Sequence, residues 1–525
     1  MMPTAQPVVF WPSTRVVAPR ARALVRLSKH RDFESVSARM LTQGGDSRIT
    51  LNAQGLNTYG FAPQPDPALV QFGSSTGSVI SAAGFSAAVA LLRRLYGSLG
   101  SYHREIERQR CELSLLSGAS SLPGTELVFA ASGTDIHLFA VHLAAQGQAA
   151  HFQTVMAEPG ETGSGVPDAL AASHFAAQTS QGRKVLRGAP VGVAALPPAV
   201  AVKLRHSDGS LRSVAEVDGE FATQVERMLQ TAGRCLLVLT DVSKTGLLAP
   251  SMACAAQLRA QYGERLSILV DACQFRASPQ TLLGYLSHDF MVAITGSKFV
   301  GGPAFCGALL LPPSVAQRSR GVALDALVDY SARSDWPLGW PNARVLEESV
   351  NLGLLLRWEA ALTELRRFRA LPAPHIHDFL QSWQQAVSTR LIQDDLFEPL
   401  PVAPLQRGLI DGLPTWDSVQ TIFPFKIFKR TVQGHRRVLT LDEMTLVYRQ
   451  LRSAQGAYGA LSTRFALGQP VSCGMQDGQP VSALRLCSSA RWVTESVAAR
   501  QPVGQVIADA MLALNRIVQL VQALR

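Results

Sequence analysis

Ser267-Ile268-Leu269-Val270-Asp271-Ala272-Cys273-Gln274, followed by Phe290-Met291-Val292-Ala293-Ile294-Thr295-Gly296-Ser297-Lys298, is the stretch from which the fold can be read. The first block is an apolar run that ends on a carboxylate. Such a run reads as a strand buried on both faces of a parallel sheet, with a polar group delivered at its carboxyl end. The second block is another apolar run, ending in small residues and one lysine. An Asp and a Lys at the ends of successive strands can form a plain ion pair, or they can serve one ligand between them.

Working outward, Lys298 is followed by the turn Gly301-Gly302-Pro303 and by Gly307-Ala308-Leu309, which enters a further strand. Upstream, Cys235 to Thr240 is a third buried run, leading to Asp241-Val242-Ser243-Lys244-Thr245-Gly246. Glu126 to Ala130 is a short strand that runs into Ala131-Ser132-Gly133-Thr134-Asp135 and a helix from Ile136 to Ala145. A strand, a small-residue turn and a helix start together set free N–H groups and the positive end of a helix dipole at one point. Residues 152–157 form another strand before the glycine-rich loop Glu158 to Gly165.

The alternation from 126 to 311 predicts an α/β fold, a three-layer large domain on a mostly parallel sheet, with its site at the strands' carboxyl ends. Residues 1–78 read as an irregular N-terminal segment that includes the hydroxyl-rich loop Phe72 to Ser78. Residues 79–345 read as the large domain, mostly helical from 79 to 117 with a break near Gly97 to Gly100. Residues 346–525 read as a smaller C-terminal α+β domain. His206-Ser207-Asp208-Gly209-Ser210 has the composition of a hairpin turn. Trp336 and Trp340 either line the site or pack.

A chain of 525 residues, 47% of them hydrophobic, is ample for two or three domains. No apolar run of about 18 residues is free of charge, so no membrane span is expected. The start lacks the pattern of a secretory signal. The net charge is +10, and the first 50 residues hold eight Lys or Arg against Asp32, Glu34 and Asp46. That is a basic arm, and no aromatic-basic interleaving elsewhere supports a nucleic-acid partner. The seven cysteines have neither a CxxC pair nor metal-ligand spacing. They read as reduced core thiols of a cytoplasmic protein, and no metal is expected.

Three of these motifs, in this order, resemble the class V aminotransferase and cysteine desulfurase branch of the fold-type I enzymes that use pyridoxal 5'-phosphate (PLP). They are Asp271-Ala272-Cys273-Gln274, Lys298-Phe299-Val300-Gly301-Gly302-Pro303 and Gly307-Ala308-Leu309, and the resemblance spans roughly residues 80 to 345. It implies that Lys298 forms a Schiff base with the cofactor and then moves protons as general base and acid. It implies that Asp271 faces the pyridine nitrogen, an ion pair of about 4 kcal/mol at about 4 Å and an effective dielectric of about 20. By the same resemblance Gln274 bonds the ring's phenolic oxygen, and Ser132, Gly133 and Thr134 cup the phosphate with the Thr295 hydroxyl. Ser243 stands where relatives have a cofactor-binding Asn. Arg485, preferred to Arg491, lies in a stretch similar to the strand whose arginine binds the substrate carboxylate. Lys244 is the rival Schiff-base lysine.

The chain also departs from the pattern. Glu158-Pro159 replaces a Glu-His pair whose imidazole stacks on the cofactor ring, Ser297 replaces a His, and Leu467-Gly468-Gln469-Pro470 has Leu at the place of the desulfurase thiol. Without that thiol a desulfurase is disfavoured. The resemblance therefore favours a homodimeric aminotransferase acting on an amino acid or amine. A PLP-dependent lyase is the alternative, and a non-catalytic scaffold a third reading.

Overall fold

The computed structural model describes residues 32–96, 101–192, 195–408, 415–431, 433–453, 463–476, 478–498 and 502–524. The basic segment 1–31 and the break at 97–100 lie outside them. The strands, in chain order, are β1 (Leu69–Phe72), β2 (Glu126–Ala130), β3 (Phe152–Ala157), β4 (Val200–Val202), β5 (Arg234–Asp241), β6 (Leu248–Ala249), β7 (Leu266–Ala272), β8 (Met291–Thr295), β9 (Gly307–Leu311), β10 (Phe397–Pro399), β11 (Ile422–Arg430), β12 (Arg436–Val438), β13 (Arg464–Gln476) and β14 (Gln479–Cys487).

The large sheet has the order β2-β9-β8-β7-β5-β3-β4, with β6 hairpinned onto β5. Its seven main strands run parallel except β9, which is antiparallel to both β2 and β8. Both faces are covered, as the unbroken apolar runs require. Successive residues divide between two cores with the period of two that a strand imposes. Leu127, Phe129, Ile268, Val270, Val292 and Ile294 point into one core, and Val128, Ala130, Leu269, Met291 and Ala293 into the other. The first is closed by the helices Ala82–Leu95, Ser101–Leu116, Val214–Thr231 and Leu352–Arg369. The second is closed by Gly133–Ala145, a helix almost wholly buried, which is why its sequence is mostly apolar beyond the first turn. Trp336 and Trp340 belong to this second core, their rings 5.2 Å apart, so they pack and do not line a site.

The second sheet, β1-β13-β14-β11-β10, carries a third core with Trp383, Phe425, Leu484 and Leu514. Its edge strand β1 comes from the N-terminal segment and pairs in parallel with β13, Leu69 opposite Arg464. Gly73, just after β1, is needed there, because an added Cβ would lie 2.5 Å from the Leu467 carbonyl oxygen. The helix Leu352–Arg369 links the two bodies. It packs into the first core through Leu365 and reaches the third with Phe368. The His206–Ser210 turn closes as the sequence suggests, with the His206 N–H donating to the Ser210 carbonyl over 2.9 Å.

Candidate active site

The carboxyl ends of β7 and β8 and the start of the helix Gly133–Ala145 open on one cleft of about 270 Å³. Asp271, Thr295 and Lys298 line it together with Ser132, Gly133 and Thr134. The N-terminal segment adds Arg48, Tyr59 and the Ser75-Thr76 turn, and the second sheet adds Arg485. Residues far apart in sequence therefore meet where a doubly covered parallel sheet places ligands.

Asp271 is 8% exposed. Its Oδ1 accepts from the Cys273 N–H at 3.2 Å, and its Oδ2 lies 3.4 Å from His137 Nε2, an ion-pair distance without hydrogen-bond alignment. His137 Nδ1 is 2.7 Å from the Gly133 carbonyl, which can only accept, so that nitrogen carries a proton. Burial pushes the Asp271 carboxyl up, but His137, Lys298 and the Cys273 N–H outweigh it and hold it below the ordinary carboxylate range. The cleft thus keeps a fixed negative charge at the end of β7.

At the helix start, Ser132 is the N-cap, accepting from the Asp135 N–H at 3.3 Å. Arg48 joins this cup. Its Nη1 donates to Thr134 Oγ1 at 3.2 Å and its Nη2 to Ser132 Oγ at 3.4 Å, while Asp46 clamps it through Nε and Nη2. The buried Arg357 secures the preceding turn by donating to the carbonyls of Leu41, Gln43 and Gly44. Gly133 keeps the cup floor low, since an added Cβ would lie 3.0 Å from Cys273 Sγ. Burial pushes the Asp135 carboxyl up to about 7, so its protonated form is accessible near neutral pH.

Three residues expected in the site face elsewhere or are already engaged. Gln274 donates to the Ser75 carbonyl at 3.1 Å and accepts from Arg276 at 3.4 Å, behind the cleft wall. Ser243 donates to the buried Glu161 at 2.7 Å and accepts from the Leu247 N–H. Thr295 does line the cleft, but it donates its proton to the Cys273 carbonyl at 2.6 Å, leaving only lone pairs for a ligand. Arg485 lines the cleft, whereas Arg491 binds the carbonyls of Val79 and Gly301 outside it.

Arg48 and His137 are the site residues that the sequence reading missed. For His137 a signal existed, because it stands one helical turn after Gly133 and so shares the face that meets β7. Arg48 had none, since its place depends on a fold-wide chain path. Of the seven cysteines only Cys273 lines the cleft, and burial pushes its thiol well up. Cys473, the off-register thiol, is packed against Val471 and Val481.

No protein-family model matches the sequence, and no curated protein matches it. Solved structures do. Oryza sativa TDC with PLP is 12% identical with a TM-score of 0.51, and the match covers 98% of this chain and 100% of that one. The same protein with PLP and tryptamine gives 12% and 0.50 over the same shares. A NifS-like protein from Rickettsia africae gives 11% and 0.49, over 86% of this chain and 99% of that one. With one antiparallel strand in a seven-strand parallel sheet and a second sheet beside it, the chain has the type I fold of the PLP-dependent enzymes.

Proposed function

We propose that the protein is a PLP-dependent enzyme that acts on an amino acid or amine, and that it is an aminotransferase. The observation that carries this reading is the convergence of Asp271, Lys298 and the Ser132-Gly133-Thr134 helix start on one cleft. The residues fit the group. The helix N-terminus, the Thr134 hydroxyl and Arg48 suit a phosphate dianion, Ser132 already donates to Asp135 and serves as the N-cap, and Gly133 leaves the floor open. The rice structures with the same fold contain PLP.

PLP, when bound, supplies an aldehyde for an amine and an electron sink for the bond broken next to it. Lys298 would hold the aldehyde carbon and, once released, carry a proton to and from the substrate Cα. Asp271, kept ionised by His137, would hold a proton on the ring nitrogen. Arg48, Ser132 and Thr134 would anchor the phosphate, and Arg485 the substrate carboxylate. The Lys298 backbone is held for this work, its carbonyl accepting from Ser78 Oγ at 3.2 Å and from the Gly301 N–H at 3.0 Å.

A desulfurase would need a reactive thiol over the cleft, and the only thiol there is the buried Cys273. Assembly as a homodimer is part of the proposal, to be read from the mass in solution.

The test is the absorption spectrum of the purified protein, followed by borohydride reduction and mapping of the modified lysine. A modified Lys298, with amino groups exchanged between a donor and a keto acid, supports the proposal. A modified Lys244, or no modification, refutes the site. A fragment released without a keto-acid acceptor replaces the transferase with a lyase.

A further inference from the structure

The cleft holds more positive charge than the proposed chemistry uses. Arg48, Lys244, Lys298 and Arg485 all line it, against the single carboxylate of Asp271. Arg48 is clamped by Asp46, and Asp271 is faced by His137. Lys298 would be taken by the cofactor and Arg485 by one carboxylate. Lys244 remains. Among the described residues no carboxylate lies within ion-pair distance of its amine, and no hydrogen bond from its side chain is formed.

Its backbone, by contrast, is pinned. The Lys244 N–H donates to the Glu161 carbonyl at 2.9 Å, and its carbonyl accepts from Arg485 Nη1 at 3.3 Å. The flanking Ser243 and Thr245 side chains both donate to the Glu161 carboxylate, at 2.7 and 2.6 Å. A turn so tightly held fixes the backbone from which the Lys244 side chain lines the cleft, beside Arg485. The Glu161 carboxylate, held by Ser243, Thr245 and the Thr245 N–H with Arg205 4.0 Å away, forms no ion pair with the amine and offsets its charge only from a distance. Burial and the nearby charges of Arg485 and Lys298 push the Lys244 amine down to about 8, against the opposing pull of Glu161.

We propose that the substrate is a dianionic amino acid, and that Lys244 binds its second acidic group while Arg485 binds the first. This rests on the cleft being the PLP site described above. A neutral substrate would leave a half-buried cation facing an uncharged group. The contact should therefore favour an acidic side chain over its amide by about 10- to 100-fold, the size expected for one hydrogen bond between charged groups.

The test uses the full-length protein and the variants K244Q and K244R. Two readouts are compared: kcat/KM with aspartate against asparagine and glutamate against glutamine, and calorimetric binding of succinate against butyrate, which needs no turnover. The expected result is a preference for the acid and for succinate of tenfold or more. It should vanish in K244Q, mainly through KM, and survive in part in K244R. Equal loss of acid and amide activity in K244Q, or equal binding of succinate and butyrate by the unmodified chain, overturns the inference while leaving the PLP reading intact. Borohydride fixation at Lys244, or a protein that carries no PLP, overturns both.

Discussion

Two aspartates close neighbouring strands of the same sheet, Asp241 on β5 and Asp271 on β7, with Thr240 in register with Asp271. Both are buried, yet their surroundings are opposite. Asp241 is sealed: Arg407 donates to it from Nη2 at 2.6 Å and from Nε at 2.8 Å, and the Tyr285 hydroxyl at 2.6 Å. Asp271 has one backbone N–H, a histidine at 3.4 Å, and an open cleft with Lys298. A sealed carboxylate holds a structure together, whereas an incompletely satisfied one is available to a ligand. The apolar strand ending in Asp is the same signal in both cases, and only the partners tell them apart.

The comparison can be broken by experiment. Lys298→Ala should have the largest effect, loss of turnover by about 1,000-fold or more together with the cofactor absorption band, while thermal unfolding stays close to that of the parent. Asp271→Asn should lower kcat on the order of 100-fold or more. Asp241→Asn leaves Arg407 buried without its counter-ion and should instead lower stability by about 3–5 kcal/mol in denaturant titration. If Asp271→Asn proves as destabilising as Asp241→Asn, the distinction between sealed and open carboxylates collapses.

Smaller effects sharpen it. Arg48→Met should weaken cofactor retention by about tenfold, read as faster loss of PLP on dialysis, because it removes a cation from the proposed phosphate cup. Asp135 gives a pH dependence of definite sign. Its folded pKa, about 7, lies above its ordinary value, so its contribution to stability is whole below pH 4 and is lost as pH rises through about 7. The loss is about 1.4 kcal/mol per pH unit across that interval, and Asp135→Asn should remove it from melting curves of the cofactor-free protein. Gln274→Ala should change turnover least, a few-fold at most, since that side chain braces Ser75 behind the wall.

Much of this arrangement was legible in the chain. Unbroken apolar runs told of a doubly covered parallel sheet, and the order of Asp271, Lys298 and Ser132-Gly133-Thr134 anticipated one cleft. The departures, two side chains turned from the cleft and one within it whose proton is already committed, have a common cause. Gln274, Ser243 and Thr295 are short or medium polar side chains whose direction is set by whichever buried carbonyl or carboxylate they can reach, and here those were Ser75, Glu161 and Cys273. Strand-end residues alternate between faces, so a site residue and a brace can be adjacent in sequence. Arg48 was hidden for another reason. Its position is fixed by the path of residues 41–44 over the buried Arg357, a tertiary fact with no local signature.

The parallel pairing of β1 with β13 sets a timetable for synthesis. Leu69 emerges long before its neighbour Arg464, with the whole large sheet encoded between them. Closing so wide a loop is slow compared with forming a local hairpin. Tyr59, Ser75 and Thr76, on either side of that strand, therefore cannot settle into the cleft wall until β13 has been made. A nascent chain halted before β13 would hold a finished parallel sheet around an unfinished pocket, and it would gain affinity for its ligand only with release of the C-terminal part.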